Sequence, residues 1–377
     1  MLYIHIPYCK GKCIYCDFYS AGNPDWTKYL KAVASELTSR IDELRGDSLR
    51  SIYIGGGTPS LIPPALFKDF IQSIDRILDA HNIDKEEGLE FTLEVNPEDI
   101  TEETAEAWCI AGVNRISMGV QSMNDEELRF LKRRHNAECV EIALSILKYY
   151  FNNFSVDLIY GIPGQSAETL EASIEKLLSF APNHFSAYAL TYEDRTPLYL
   201  LRDKGVISEC SDEEYNTLES VVVEKLSSAS FSRYEISNYA LPGFESRHNS
   251  GYWNGQPYLG LGPSACSFDG AETRRSNPHD LRGYISHFSQ PSPQIFYIEE
   301  RLTLQERKEE EIFTRLRIAR GIDLQDFSRK FGEEALTELL ANANRWIQTG
   351  HLLMVESRLF FSQSGFQISD HIILHLI

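Results

Sequence analysis

Short apolar runs alternate with longer amphipathic stretches along the first half of the chain. The runs begin roughly 25–50 residues apart, which is the spacing of β–α units. Their nearly continuous apolar character is typical of a parallel sheet with both faces covered. The predicted strands are Leu2–Ile6, Ser51–Ile54, Glu90–Val95, Val113–Ser117, Phe154–Ile159 and His184–Leu190. The amphipathic stretches predict helices near Trp26–Ile41, Pro64–Leu78, Cys139–Tyr149 and Ala167–Phe180. The pattern predicts an α/β fold in which six β–α repeats form an open or partial (β/α)6 barrel.

The pattern changes after residue 197. Aromatic residues, Gly, Asn and Ser dominate from Tyr234 onward, after one helical stretch near Asp212–Leu226. The last part of the chain predicts helices near Gln305–Ala319, Asp323–Phe331 and Glu333–Thr349, a hairpin around His351–Phe361 and a final helix over Ile368–Leu376. Three helices and a hairpin indicate a winged-helix-like α+β domain. We therefore predict three regions: a partial barrel over 1–197, a barrel extension over 198–300 and a C-terminal domain over 301–377.

Polar signatures follow the predicted strands at their carboxyl ends. Cys9 follows the first strand, Gly55-Gly56-Gly57-Thr58 the second, and Glu94 ends the third. Gly119-Val120-Gln121 follows the fourth strand, and Asp157 lies in the fifth. Ligand sites of α/β barrels and open α/β sheets lie at the carboxyl ends of the strands. The sequence therefore predicts one site at this rim.

Composition and charge exclude several classes of protein. Hydrophobic residues make up 42% and charged residues 24%, which is typical of a globular protein. The net charge of −19 repels phosphate backbones, so we expect no nucleic-acid partner. No apolar run reaches the ~18–20 residues that span a bilayer. The N-terminus lacks a signal-peptide pattern, so a cytoplasmic location is expected. Peripheral membrane contact and the choice between monomer and dimer stay open.

Three of the seven cysteines crowd into eight residues: Cys9, Cys13 and Cys16. The odd total and the long gaps between the others argue against a disulfide framework. Thiolates are soft ligands that suit iron–sulfur clusters or zinc. Three thiolates on a [4Fe–4S] cluster leave one iron open to a further ligand. A zinc site completed by His5 or a distant cysteine is the alternative.

The C-x3-C-x2-C run and several other segments resemble one protein family, that of the radical S-adenosylmethionine (SAM) proteins. The resemblance is to the branch that contains oxygen-independent coproporphyrinogen III oxidases and related heme chaperones. It covers nearly the whole chain and implies a [4Fe–4S] cluster with bound SAM. The matching segments are His5–Cys9, Gly55–Ser60, Asn96-Pro97, Gly119–Ser122, Asp157–Pro163 and Tyr234–Ala240.

The resemblance implies a set of SAM-contacting residues: Tyr3, Gly56, Gly57, Thr58, Glu94, Gln121, Arg133 and Asp157. Their chemistry suits the ligand. Glycine lets the backbone approach closely, a guanidinium offers a fixed fork for a carboxylate, and carboxylates accept hydrogen bonds from ribose hydroxyls. A glycine usually precedes the arginine in this family, whereas here the residue is Lys132.

Two features separate the oxidases from the chaperones. The oxidases carry a fourth cysteine where this chain has Phe18, and a segment before the first strand that covers the substrate. Here the first predicted strand begins at Leu2, so we expect no such cover. The resemblance therefore implies a heme chaperone that delivers heme to apo-hemoproteins. A radical enzyme of the coproporphyrinogen oxidase type, which decarboxylates a porphyrin precursor oxidatively, is the alternative.

The His248-Asn-Ser-Gly-Tyr252-Trp253 segment matches the H-N-x-x-Y-W element of the chaperone group. Imidazole and phenolate both ligate heme iron, so His248 and Tyr252 are the heme-ligand candidates. The alternative is that His248 is a buried histidine satisfied by hydrogen bonds. Cys266 stands where the family usually has a histidine; a lone cysteine is more often small buried filler than a ligand.

Overall fold

The computed structural model describes residues 1–22, 24–46, 48–293 and 295–377. Its centre is a nine-stranded sheet in the order β7-β8-β6-β5-β4-β3-β2-β1-β9. Strands β1 to β6 run parallel to one another. The nine strands are β1 (Leu2–Ile6), β2 (Leu49–Gly56), β3 (Lys85–Val95), β4 (Arg115–Gln121), β5 (Phe154–Tyr160), β6 (His184–Ala189), β7 (Ser232–Arg233), β8 (Asn238–Ala240) and β9 (Leu259–Leu261).

The six predicted strands are confirmed as the parallel core of this sheet. The sheet also extends beyond the prediction at both edges. At one edge β9 pairs parallel with β1; at the other, β8 pairs antiparallel with β6, and β7 pairs antiparallel with β8. These added strands have two or three residues each, which is too short for a period-two pattern to stand out. The predicted fourth strand starts two residues early, because Val113 and Asn114 belong to the turn before β4.

Helices connect the strands and cover the sheet. They are α1 (Trp26–Arg40), α2 (Pro64–Ala80), α3 (Glu102–Ile110), α4 (Asp125–Phe130), α5 (Ala137–Tyr150), α6 (Ala167–Leu178), α7 (Pro197–Asp203), α8 (Asp212–Ser228), α9 (Arg247–Trp253) and α10 (Leu281–Phe288). The four predicted connecting helices correspond to α1, α2, α5 and α6. The extension adds a small antiparallel sheet of β10 (Cys266–Phe268), β11 (Thr273–Ser276) and β12 (Ile298–Arg301). In the described part of the chain, no helix has both the length and the apolar character to cross a membrane.

A buried carboxylate ties the extension to the barrel. Glu36 of α1 is fully buried and forms an ion pair with Arg40 at 3.0 Å. It also accepts hydrogen bonds from Gly262 N, Asn277 Nδ2 and Tyr284 Oη at 2.8, 2.7 and 2.6 Å. One apolar core accordingly runs from Leu2 to Phe288, across the predicted boundary at residue 197.

The C-terminal part has a core of its own, built from residues between Ile312 and Leu376. Its elements are α11 (Leu304–Leu316), β13 (Ile322–Asp323), α12 (Leu324–Phe331), α13 (Glu333–Gln348), β14 (Leu352–Val355), β15 (Arg358–Phe361), α14 (Gln363–Gln367) and α15 (Ser369–Leu376). Its three main helices and the hairpin lie where the sequence predicts them, and α14 is an addition. The domain boundaries themselves stay predictions.

Candidate functional site

The cysteine loop follows β1 and is anchored by a small apolar cluster. Ile14 of the loop is buried in this cluster with Leu131 and Leu198. Ile14 N donates to Leu131 O at 3.4 Å, and Leu198 N donates to Ile14 O at 2.9 Å. The packing fixes the loop between two distant parts of the chain. Cys9, Cys13 and Cys16 lie half-buried on it as free thiols. Burial raises the pKa of the Cys9 and Cys16 thiols.

The contacts of the loop favour an iron–sulfur cluster over a zinc ion. Both ring nitrogens of His5 are engaged, because Nε2 donates to Tyr19 O and Nδ1 accepts from Tyr3 Oη, each at 3.1 Å. His5 is therefore not free to complete a zinc site.

The glycine loop packs directly against the end of β1. Gly56 has φ +108°, and a Cβ there would lie 2.4 Å from the His5 ring. A Cβ on Gly57 would lie 2.7 Å from Tyr8 O and 2.8 Å from Ile6 O. The loop also touches the cysteine loop, since Thr58 Oγ1 lies 3.3 Å from Cys9 Sγ. Only glycine at positions 56 and 57 allows this approach.

Glu94 closes the glycine loop from the neighbouring strand. Its Oε1 accepts from Tyr53 Oη at 2.7 Å, and its Oε2 accepts from Gly56 N at 2.9 Å. Burial raises the pKa of Glu94 to about 7, because desolvation disfavours the carboxylate. Its carboxyl group therefore titrates near neutral pH and fixes the backbone of the predicted SAM loop.

Arg133 joins the cysteine loop to the ends of β3 and β4. Its Nη2 donates to Asn96 Oδ1 at 2.6 Å and to Gly119 O at 2.7 Å, while Nη1 lies 3.5 Å from Cys13 Sγ. Arg133 Nε is buried without a hydrogen-bond partner among the described residues. A Cβ on Gly119 would lie 2.9 Å from Gln121 Nε2 and 3.3 Å from Arg133 Nη2, so both side chains converge over this glycine.

Lys132 adopts the left-handed backbone conformation, with φ +56°. The turn that the family usually builds with glycine is therefore kept without it. L-residues in this region carry a steric cost of roughly 1–2 kcal/mol, which the surrounding contacts of Arg133 offset.

Asp157 is another carboxyl of the barrel interior and lies half-buried on β5. Its Oδ1 accepts from Ser117 Oγ at 3.2 Å. Burial raises its pKa to about 6, and the buried cation Arg115 opposes that shift. Arg115 Nε and Nη1 have no hydrogen-bond partners within the described residues.

These residues fit a three-thiolate cluster with a small polar ligand beside it. They bring together the ends of β1 to β4 and the middle of β5, as the strand-end pattern predicts. The thiolates suit iron, Arg133 has an unused donor, and two carboxyls can accept hydrogen bonds. The assignment of individual residues to SAM stays a prediction.

A cavity of about 590 Å³ adjoins this pocket. Tyr3 lines it, and so do residues next to both edges of the large sheet, among them Tyr188 and Asn238 on one side and Tyr258 and Cys266 on the other. The sheet therefore curves so that its edges face one another across the cavity. The C-terminal domain closes the gap with α11 and the end of α12.

Only one of the two heme-ligand candidates lines the cavity. Tyr252 lines it, whereas His248 is fully buried behind it. His248 Nδ1 is hydrogen-bonded to Ser51 Oγ at 2.8 Å, and Nε2 to Tyr252 Oη at 2.9 Å. Burial lowers the pKa of His248 to about 3, so the ring is neutral. The two side chains form one unit in which the tyrosine faces the ligand space.

Three residues of the pocket received no role from the sequence: Tyr53, Asn96 and Arg115. Asn96 follows β3 in a segment that carries the resemblance, so its position at the rim was a usable signal. Tyr53 and Arg115 lie inside strands, where a polar residue in an apolar run gives no indication of its partner. Cys266 is exposed on the cavity wall rather than buried, with its Sγ 3.4 Å from Ser276 Oγ.

Comparison with known proteins decides the family. The profile of the radical SAM superfamily matches residues 3–177, and that of the HemN C-terminal domain matches residues 302–368. The heme chaperone HemW of Bacillus subtilis (strain 168) is 34% identical over 333 residues, covering 88% of this chain and 86% of the relative. The chain belongs to the HemW family.

Another HemW relative, from Lactococcus lactis subsp. lactis (strain IL1403), is 32% identical over 385 residues and covers 98% of this chain and 95% of its own. The solved structure of coproporphyrinogen III oxidase (HemN) from Escherichia coli superimposes with a TM-score of 0.82. The superposition covers 100% of this chain and 89% of the oxidase chain. Because the two sequences are only 20% identical, it supports the fold alone. The expected family and fold are confirmed. Membership of the radical SAM superfamily implies a [4Fe–4S] cluster and SAM.

Proposed function

We propose that this protein is a heme chaperone that binds heme in the 590 Å³ cavity and releases it to apo-hemoproteins. The observation that carries the proposal is the cavity wall formed by the H-N-x-x-Y-W helix α9. Tyr252, Trp253, Tyr258 and Phe268 give this wall a broad aromatic surface. Flat aromatic ligands pack well on such surfaces. The heme chaperone relatives from two bacteria support the same function.

In this proposal Tyr252 is the group that faces the iron, and His248 positions it. The hydrogen bond between His248 Nε2 and Tyr252 Oη holds the phenol in place from behind. Burial raises the pKa of Tyr252. The phenol therefore stays protonated until a metal displaces its proton.

The cysteine loop holds the cluster in this proposal, and the glycine loop with Glu94 and Arg133 holds SAM. A [4Fe–4S] cluster with bound SAM supplies one-electron chemistry at the sulfonium. Tyr3 separates this pocket from the cavity, since its hydroxyl donates to His5 and its ring lines the cavity. A ligand in the cavity therefore lies next to the SAM position and can respond to it.

The first prediction tests heme binding and transfer. The protein is reconstituted anaerobically and titrated with hemin, and the Soret band is followed. We expect saturable binding with a shifted Soret band, followed by transfer to apomyoglobin. Tyr252→Phe should weaken hemin binding by about tenfold and change the spectrum, because one iron ligand is lost. His248→Ala should weaken it less, because it removes only the positioning bond.

The control is Tyr149→Phe, since Tyr149 is exposed on α5 away from the cavity. Absence of saturable hemin binding by the reconstituted protein would contradict the chaperone function. Unchanged affinity and spectrum in both the Tyr252 and His248 variants would contradict only the ligand assignment.

The closeness of the cavity to the SAM pocket also favours a second candidate, a radical enzyme acting on a porphyrin precursor. In that case Tyr3 and Glu94 would orient the substrate carbon and SAM toward each other and exclude water. Formation of 5′-deoxyadenosine that depends on coproporphyrinogen III, together with its decarboxylation, would favour the enzyme over the chaperone.

A further inference from the structure

The heme cavity has one charged side in addition to its aromatic wall. Four basic side chains line it: Arg274, Arg307, Arg315 and Lys330. Three carboxyl groups also line it: Glu235, Glu310 and Glu311. Burial raises the pKa of Glu235 to about 7, so part of its charge is absent at neutral pH. The cavity is therefore net positive in a chain whose overall charge is −19.

Three of the four cations are already paired, which leaves one for a ligand. Arg274 donates to Glu310 Oε2 at 2.9 Å, and Arg315 and Lys330 share Glu311 Oε1, each at 3.0 Å. Arg307 is half-buried on α11, and in the described ranges its guanidinium has no ion-pair partner. Arg274 Nε is likewise buried without a hydrogen-bond partner among the described residues. The Arg307 guanidinium and Arg274 Nε can therefore each donate a hydrogen bond to a bound ligand.

We infer that Arg307, supported by Arg274, binds the propionate carboxylates of the porphyrin, so that the C-terminal domain supplies the anion-binding edge of the site. This inference rests on the proposed heme-binding function. The aromatic residues of α9 and β10 then contact the apolar face of the ring. A guanidinium suits a carboxylate because its two donors match the two oxygens. The C-terminal domain thus orients the ligand: the carboxylates lie toward α11 and the vinyl edge lies away from it.

The test compares hemin with hemin dimethyl ester, which has the same ring and iron but no carboxylate charge. Both are titrated into reconstituted full-length protein, and Soret absorbance gives the affinities. We expect the protein to bind hemin at least tenfold more tightly than the ester. Arg307→Met should weaken hemin binding by about 5- to 20-fold and leave ester binding unchanged, because it removes one charge-assisted contact. Since Arg307 has no partner within the described chain, its loss should not disturb folding.

Arg320→Met is the matched control, because Arg320 is exposed in the same domain and does not line the cavity. Its hemin and ester affinities should equal those of the wild type. Equal wild-type binding of hemin and ester, or equal weakening of both by Arg307→Met, would overturn the inference while leaving the chaperone function intact. A wild type that binds neither ligand would instead refute the proposed function.

Discussion

Glu94 and Asp157 are the residues whose charge state the barrel interior controls most directly. Burial raises the pKa of Glu94 to about 7 and that of Asp157 to about 6. In an unfolded chain such groups titrate near pH 4. Between these values the two groups bind more protons in the folded apo protein than in the unfolded chain. Their contribution to the free energy of unfolding therefore falls as pH rises from about 4.5 through 7, whereas His248, whose pKa burial lowers to about 3, contributes with the opposite sign.

Glu94→Gln should remove the contribution of Glu94 to this pH dependence. The amide can still accept from Gly56 N through its oxygen and donate to Tyr53 Oη through its nitrogen, so the loop should keep its shape. We expect the free energy of unfolding at pH 5 minus that at pH 8 to decrease by on the order of 2 kcal/mol relative to wild type. Anaerobic urea unfolding of the apo protein at both pH values measures it. The exposed carboxyl of Glu103 provides the control as Glu103→Gln, and identical slopes in wild type and Glu94→Gln would contradict the prediction.

At the scale of single residues, the sequence predicts which side chains come together but not the hydrogen bonds they form. The positions of Cys9, Gly57 and Arg133 follow from strand ends and motif spacing, which are local signals. The hydrogen bonds that engage both nitrogens of His248 involve Ser51 and Tyr252, and the first of these lies almost two hundred residues away. Such long-range pairing has no signature in a single sequence. Lys132 shows that a missing glycine does not exclude a left-handed turn, because glycine is preferred there but is not required.

At the scale of elements, α1 holds the barrel and its extension together through the buried Glu36 cluster. Its carboxylate satisfies a backbone amide near β9, a side-chain amide after β11 and a phenol of α10. Few elements of the extension have long apolar periods of their own. Their placement therefore depends on polar contacts that are removed from water, which are costly to break singly.

Glu36→Ala should destabilise the protein by about 3–5 kcal/mol, because it leaves Arg40 and several donors buried without their acceptor. Thermal or chemical unfolding followed by circular dichroism measures the change. Asp42→Ala, at an exposed ion pair with Arg45, should cost about 0.5 kcal/mol or less. A loss below 1 kcal/mol for Glu36→Ala would show that the cluster is not what holds the extension.

The predicted elements were accurate where apolar periodicity runs over five or more residues, as in β1 to β6 and in the three main C-terminal helices. Two- and three-residue strands such as β7 and β9 depend on the neighbours that pair with them. The short helix α4 and the capped α3 were missed because their boundaries rest on Asn124 and Thr101 caps rather than on a long amphipathic face. The long periodic elements could therefore be predicted from the sequence, whereas the short capped helices and the sheet edges could not.

At the scale of the whole molecule, the charge of −19 governs long-range interactions, while the cavity is locally positive. The C-terminal domain resembles a winged helix in its elements, yet Arg315 is used internally, where it donates to Asn254 O at 3.1 Å and pairs with Glu311. Arg315 thus faces the barrel rather than a nucleic acid.

We therefore expect no binding to a 20-base-pair duplex in fluorescence anisotropy at 100 mM salt, up to tens of micromolar protein, because repulsion between two polyanions exceeds any local attraction. A basic winged-helix protein serves as the positive control for the assay. Salt-sensitive binding at this ionic strength would contradict the expectation.

The cavity draws its walls from distant parts of the chain, from Tyr3 in the first strand to Phe331 at the end of α12. During synthesis the ribosome must release almost the entire chain before these walls can meet. A molecule truncated before α11 lacks part of this wall, so under the proposed function we expect it to bind heme poorly. A ligand bound in the cavity should stabilise the contact between the barrel and the C-terminal domain, and so protect both from proteolysis.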